Sequence, residues 1–306
     1  MTNRTALFSR HQPGGVFTVD DYKEHPANIW WVDSDNGTDA TGYGGNPDIP
    51  VASIDYAFGL CGEGDKVYVQ PWHEENLITA TAINADVAGV TVEGLKWGNL
   101  MPTLSMTAAA GAITVAAANV TLKNLKLVAN FATGVTQGIA VAATGDGCTL
   151  DGIVCRDTTT DKEFLVHINV ATTVDDLTIR NCSLVGLTGG SMTNSILFAG
   201  TSTNALIEDN YIFVDSSDDV IDHLAAASVN LVVRRNVIIN ADTDAAGYCL
   251  RYKSDGTGAA YHNLMAYNKD NAEISIGAAA WWFENYASNT IAESGRLDPT
   301  TAHAIP

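Results

Sequence analysis

The sequence predicts an all-β fold: a right-handed parallel β-helix solenoid with an N-terminal capping helix. A short phrase returns along the chain, the phrase has strand character, and no period holds the paired amphipathic runs that a helical repeat requires. The phrase is an apolar residue, two polar residues, then Leu, Ile, Cys or Asn, and usually a second apolar residue two further on. It reads Val92-Glu-Gly-Leu95-Lys-Trp97, Leu122-Lys-Asn-Leu125-Lys-Leu127, Leu150-Asp-Gly-Ile153, Ile179-Arg-Asn-Cys182-Ser-Leu184, Ile207-Glu-Asp-Asn210-Tyr-Ile212 and Val233-Arg-Arg-Asn236-Val-Ile238. Weaker copies follow as Tyr261-His-Asn-Leu264 and Trp282-Phe-Glu-Asn285. The fourth positions, 95, 125, 153, 182, 210, 236, 264 and 285, are separated by 30, 28, 29, 28, 26, 28 and 21 residues.

One turn of such a repeat is too short to bury its own apolar face. Stacking turns ~4.8 Å apart buries a continuous column, with backbone hydrogen bonds running between turns. Inward positions then stack like on like. The fourth position predicts one such column, aliphatic through Leu95, Leu125, Ile153 and Cys182, then amide through Asn210, Asn236 and Asn285. Stacked amides can hydrogen-bond each other at a sharp turn between strands.

The chain divides into an arm at 1–28, a cap of strand, short helix and strand at 29–80, the β-helix at 81–291 and a tail at 292–306. In the cap, Ser53 is placed to cap a helix whose buried stripe is Ile54, Ala57, Phe58 and Cys61, with Gly62 ending it. Such a helix shields the open end of a solenoid from water and from edge pairing. The polar arm is expected to order against another chain, with Phe8, Phe17 and Tyr22 as its apolar attachment points.

A formal net charge of −19 disfavours nucleic acid and anionic membrane as partners. No apolar run reaches 18 residues, so no membrane insertion is expected, and the first residues lack the apolar core of a secretory signal. The five cysteines sit mostly in apolar phrases and are expected as buried thiols.

The segment from Ile29 to Pro71 resembles the N-terminal portion of the pectate-lyase-like superfamily of right-handed β-helices. The shared pattern is a strand, the turn Asn36-Gly-Thr-Asp39, a Pro, then "ASIDYAFGLC", "GDKVYV" and a Pro. More closely, "DYAFGLC…GDKVYVQPWHEE", "DVAGVTVEGL", "AANVTLKNL" and "LTIRNCSLVG" are similar to β-helix proteins of tailed bacteriophages, over roughly residues 29–240. The resemblance implies a structural virion protein, a capsid decoration or tail-surface component made in the host cytoplasm. Its expected partners are other virion proteins and, as a homotrimer, further copies of itself.

Two alternatives carry residues of their own. Asp218, Asp219 and His223, with Arg251 and Lys253 about one turn later, resemble the Asp pair, His and Arg-x-Lys of polygalacturonase-type β-helix glycosidases. That reading makes the chain a tailspike-like depolymerase of surface polysaccharide. The family's Gly-His-Gly phrase is missing, and His223 follows the Asp pair without the one-turn separation. The second alternative is a non-catalytic adhesin that stacks a host glycan on exposed aromatic residues such as Trp281 and Trp282. Asp33, Asp35 and Asp39 form an oxygen-rich turn that could hold a structural Ca²⁺, without the terminal Glu of an EF-hand loop. The main reading expects no catalytic residues, no cofactor and no metal.

Overall fold

The computed structural model describes residues 28–242, 247–267, 274–276, 279–289 and 294–297. Over these the chain is a right-handed parallel β-helix bounded by three sheets of ten, eight and ten strands. Right-handedness follows from the twist of strands joined by parallel crossovers. The first sheet runs from Ile29–Val32 to Ala280–Phe283 and the third from Ile83–Ala85 to Ile274–Ser275. The second runs from Glu74–Leu77 to Asn285–Asn289, and Ser294–Leu297 then closes it antiparallel. A small sheet of Val174–Asp175, Ser202–Thr203 and Ser228–Val229 lines the link back to the first.

Register explains the phrase. Leu122 pairs with Val92 and Leu150, Ile179 with Leu150 and Ile207, and Val233 with Ile207. Each of these first positions is buried. The apolar residue two beyond the fourth position does the same in the second sheet, where Leu127, Cys155, Leu184, Ile212, Ile238 and Met265 are buried in register. The third sheet contributes Ile113, Ile139, Ile168, Ile196, Ile221 and Leu250.

The fourth-position column is present, with two corrections. Leu125, Ile153, Cys182, Asn210 and Asn236 are buried at the corner between first and second sheets. The next member is Asn263 and not Leu264, because Ala260 pairs with Val233 and begins the phrase. Leu264 pairs with Val237, points outward and is 52% exposed. Leu95 is half-buried and leaves the column, since its turn inserts a 3-10 helix, Gly98–Leu100. Pro102 takes the slot instead: its carbonyl receives the Lys126 N–H, as that of Leu125 receives the Val154 N–H. The left-handed backbone lies one residue before the column, at Asn124, Gly152, Asn181, Asp209, Arg235, His262 and Glu284.

The capping helix forms at Ile54–Leu60, where Ser53 Oγ accepts the Tyr56 N–H. Ile54, Ala57 and Phe58 are buried against the first strands of the first and third sheets. Asp65 ties this end together, accepting from Asn28, Trp30 Nε1 and the Gly62 N–H. Burial opposes its ionisation, yet those hydrogen bonds hold its pKa below the usual carboxylate range.

The first sheet's outward face carries a charge ladder. Lys66, Glu93 and Lys123 form one run of pairs at 2.6 and 3.1 Å. Asp151 pairs with Arg180 at 3.0 Å and Glu208 with Arg234 at 2.7 Å. Glu93, Lys123, Asp151, Arg180, Glu208 and Arg234 stand in register with alternating sign, so each charge lies directly above its opposite, while Lys66 reaches Glu93 from two residues along its strand.

Candidate functional site

The chemistry-bearing side chains gather where the chain leaves the second sheet for the third. Strand Ile221–His223 alternates, so Ile221 and His223 face inward and Asp222 outward, in register with Arg251. Asp219 is fully buried just before it. One Asp219 oxygen accepts the Tyr248 N–H at 2.7 Å, and the other lies 3.3 Å from the Arg251 guanidinium. Arg251 also lies over the Tyr248 ring, 5.2 Å from its centroid. Burial pushes the Asp219 carboxyl up to about 6, against the Tyr248 hydrogen bond and the Arg251 charge. Asp222 is raised for the same cause, and its Oδ1 accepts the Leu224 N–H.

The structure therefore brings Asp219, Asp222 and Arg251 together, with Asp218 exposed beside them. His223 does not join them. Its ring is wholly buried and stacked on Phe198 at 4.6 Å, with Nε2 2.8 Å from Ser202 Oγ and Nδ1 2.8 Å from the Ala226 carbonyl. The period-2 alternation already required this, since Ile221 is a core residue. Lys253 follows the buried Tyr252 and shares the outward side with Arg251.

Asp157 and Glu163 belong to the same corner and were missed in the sequence. Asp157 accepts from the Phe164 N–H at 2.9 Å and from the Leu187 N–H, one turn on, at 3.0 Å. Burial pushes it up to about 6. Glu163 is 4% exposed and takes the Ser191 N–H on both oxygens, at 2.7 and 2.8 Å. Asp215 accepts the Gly189 N–H. The pairs Asp157–Leu187, Glu163–Ser191 and Asp215–Gly189 lie 26 to 30 residues apart, one full turn, which a local reading cannot connect.

The turn near the N-terminal end places Asp33, Asp35 and Asp39 in separate roles. Asp33 accepts from the Asp35 N–H and the Asn36 amide, whereas Asp39 accepts from Ala52, Ser53 N–H and Ser53 Oγ at the helix start. Among the described residues no group of three or more His, Cys, Asp or Glu is arranged to hold a metal. His167 is buried in the core, its Nδ1 3.0 Å from Ser195 Oγ. Trp282 packs against the core, while Trp281 is 58% exposed. Phe8, Phe17 and Tyr22 lie outside the described residues.

A rhamnogalacturonan lyase superposes with a TM-score of 0.53 at 13% identity, covering 79% of this chain and 69% of the lyase. A GH136 lacto-N-biosidase from Eubacterium ramulus superposes with a TM-score of 0.50 at 14% identity, covering 86% of this chain and 68% of that one. A pectate lyase is also similar, with a TM-score of 0.43 at 11% identity, covering 84% and 78%. The rhamnogalacturonan lyase and lacto-N-biosidase superpositions share the parallel β-helix fold with this chain. No protein-family model matches the chain, and no curated protein does.

Proposed function

We propose that the protein is a structural component of a tailed-bacteriophage particle, a β-helical decoration of the head or tail that acts through its faces. The observation that carries this reading is the use made of the acidic corner. Asp157, Glu163, Asp215 and Asp219 each accept a backbone N–H from a neighbouring turn. The carboxylates thus join turn to turn, and His223 is committed to the core. The resemblance over residues 29–240 supplies the viral context. Quantitative mass spectrometry of purified particles tests it. The expected result is this chain at a fixed copy number per particle, and its absence from particles would remove the reading.

A second reading is a polysaccharide depolymerase. It is favoured by the Asp219–Arg251 pair, an acid raised to about 6 by burial beside a cation, the kind of group that general-acid cleavage of a glycoside uses. The likeness to a lyase and a glycoside hydrolase adds the fold. Incubating the full chain with host-surface polysaccharide and counting new reducing or unsaturated ends separates the readings. The structural reading expects none. Ends that appear with the natural chain and vanish with Asp219→Asn would establish the depolymerase, and glycan retention without cleavage the adhesin.

A further inference from the structure

We propose that copies of this chain pack against one another through the outer face of the second sheet. In strands Ser183–Val185, Tyr211–Val214, Val237–Asn240 and Leu264–Tyr267 the outward positions include Val185, Tyr211, Phe213, Val237, Ile239 and Leu264. Register stacks them in two adjacent columns, and Tyr286 continues the first. Tyr211 is 44% exposed, and Leu264 and Tyr286 are each 52% exposed. From Ser183 to Ser288 no outward position of this sheet is charged. Arg156, in register with Val185, bounds the face on one side.

The contrast with the first sheet defines the face. There, outward positions carry charge from Glu93 to Arg234, turn after turn. A sheet surface that only meets water is expected to look like that. An apolar patch of more than a few hundred Å² marks an interaction site. An aromatic side chain presents ~150–250 Å². The half-exposed tyrosines and leucine, with their partly exposed neighbours, then make on the order of 500 Å² per copy, and two copies bury ~1,000 Å², the lower bound of a specific interface.

Charge chooses the occupant. With a net charge of −19, copies repel over most of their surface, so they can associate only through a face without charge. A basic partner would be met by acidic side chains, which this face lacks, and a glycan by an unbroken run of rings to stack on, whereas Val237 and Leu264 separate Tyr211 from Tyr286. Its own chemistry is matched by a second copy of itself. Turns stacked in register carry the face along the solenoid, so two copies can align along their length.

Sedimentation equilibrium of the purified full chain tests this, and its outcome is independent of whether the chain sits on a particle. The natural chain is expected to sediment as a multimer. The double variant Tyr211→Glu, Leu264→Glu should sediment at the mass of one chain with unchanged circular dichroism. Trp97→Glu, at a residue 67% exposed elsewhere, should remain a multimer. A natural chain of single-chain mass, or a folded double variant that keeps the multimer mass, overturns the proposal. Should the charged variant fail to fold, Tyr211→Ser with Leu264→Ser serves instead. A drop of at least tenfold in association constant is expected, and no drop overturns the proposal.

Discussion

The Asn210 N–H and the Asn210 side-chain amide both donate to Oδ1 of Asn236, at 3.0 and 2.9 Å. The Asn236 amide in turn reaches the Ile207 carbonyl at 3.0 Å. The arrangement repeats from Asn236 to Asn263 and from Asn263 to Asn285. Each amide satisfies a corner N–H of the preceding turn and a first-sheet carbonyl in a buried site. A buried polar column is stable only when every member is satisfied in this way.

Asn236→Leu should therefore destabilise far more than its volume change suggests. It leaves the Asn210 N–H and amide without their acceptor, and the Ile207 carbonyl without its donor. At ~1–3 kcal/mol for each of these three buried groups, partly offset by the ~1.5–3 kcal/mol gained from burying a Leu side chain, the expected loss is roughly 3–5 kcal/mol. Urea unfolding reads it directly, and a loss below about 1 kcal/mol would mean that the ladder contributes little.

Cys182 marks the start of the ladder. Its N–H already donates to Asn210 Oδ1 at 2.9 Å, and its Sγ lies 3.6 Å from the Leu150 carbonyl. That carbonyl is equivalent to the Ile179 oxygen that the Asn210 amide reaches. Cys182→Asn should extend the ladder and raise stability by about 1 kcal/mol. A melting temperature lowered by several degrees would show that the aliphatic half of the column rejects an amide.

The charge ladder contributes less. Glu93 sits between Lys66 and Lys123, and Glu93→Lys places three cations in a row. Partly exposed pairs contribute ~0.2–1 kcal/mol each, so the expected loss is about 1–2 kcal/mol. Raising the salt to about 1 M shortens screening to ~3 Å and should remove most of it. A loss that ignores salt would point to packing instead.

Two sets of buried groups pull the pH dependence in opposite directions. Burial raises Asp157 and Asp219 to about 6, so the folded chain binds their protons more tightly. They add stability as pH falls from 7 through 6 towards the unfolded value of ~3.9. Burial lowers His167 to about 3 and lowers His223 as well, so both stay neutral while the unfolded chain takes up protons below ~6.5. They remove stability over the same window. His167 and the two carboxyls each amount to roughly 1–2 kcal/mol between pH 7 and 5. The natural chain should change little in melting temperature over that range, whereas His167→Leu should melt several degrees higher at pH 5 than at pH 7. An unchanged or falling melting temperature in the variant would contradict the buried, neutral His167.

The fold was legible because in-register turns put like residues at one spacing, and the phrase from Val92 to Ile238 follows from that alone. It failed at Ala260, where a small inward residue beside the larger Tyr261 shifted the reading by one place. It failed at Pro102, where an inserted 3-10 helix broke the spacing. Of the corner, Asp219 and Arg251 were legible as a pair one turn apart. His223 was misplaced because motif order outweighed the alternation that sends it inward. Asp157 and Glu163 were invisible because their partners, Leu187 and Ser191, are ordinary residues known only through backbone N–H groups a full turn away.

Thermal unfolding of Asp219→Ala is the most direct test of the central claim that the corner carboxylates hold neighbouring turns together. Removing a carboxylate kept for chemistry commonly leaves a protein as stable or more so. Removing one that holds structure leaves the Tyr248 N–H and the Arg251 guanidinium without their acceptor. A loss of roughly 1–3 kcal/mol is predicted at pH 7. An unchanged or higher melting temperature would contradict the claim.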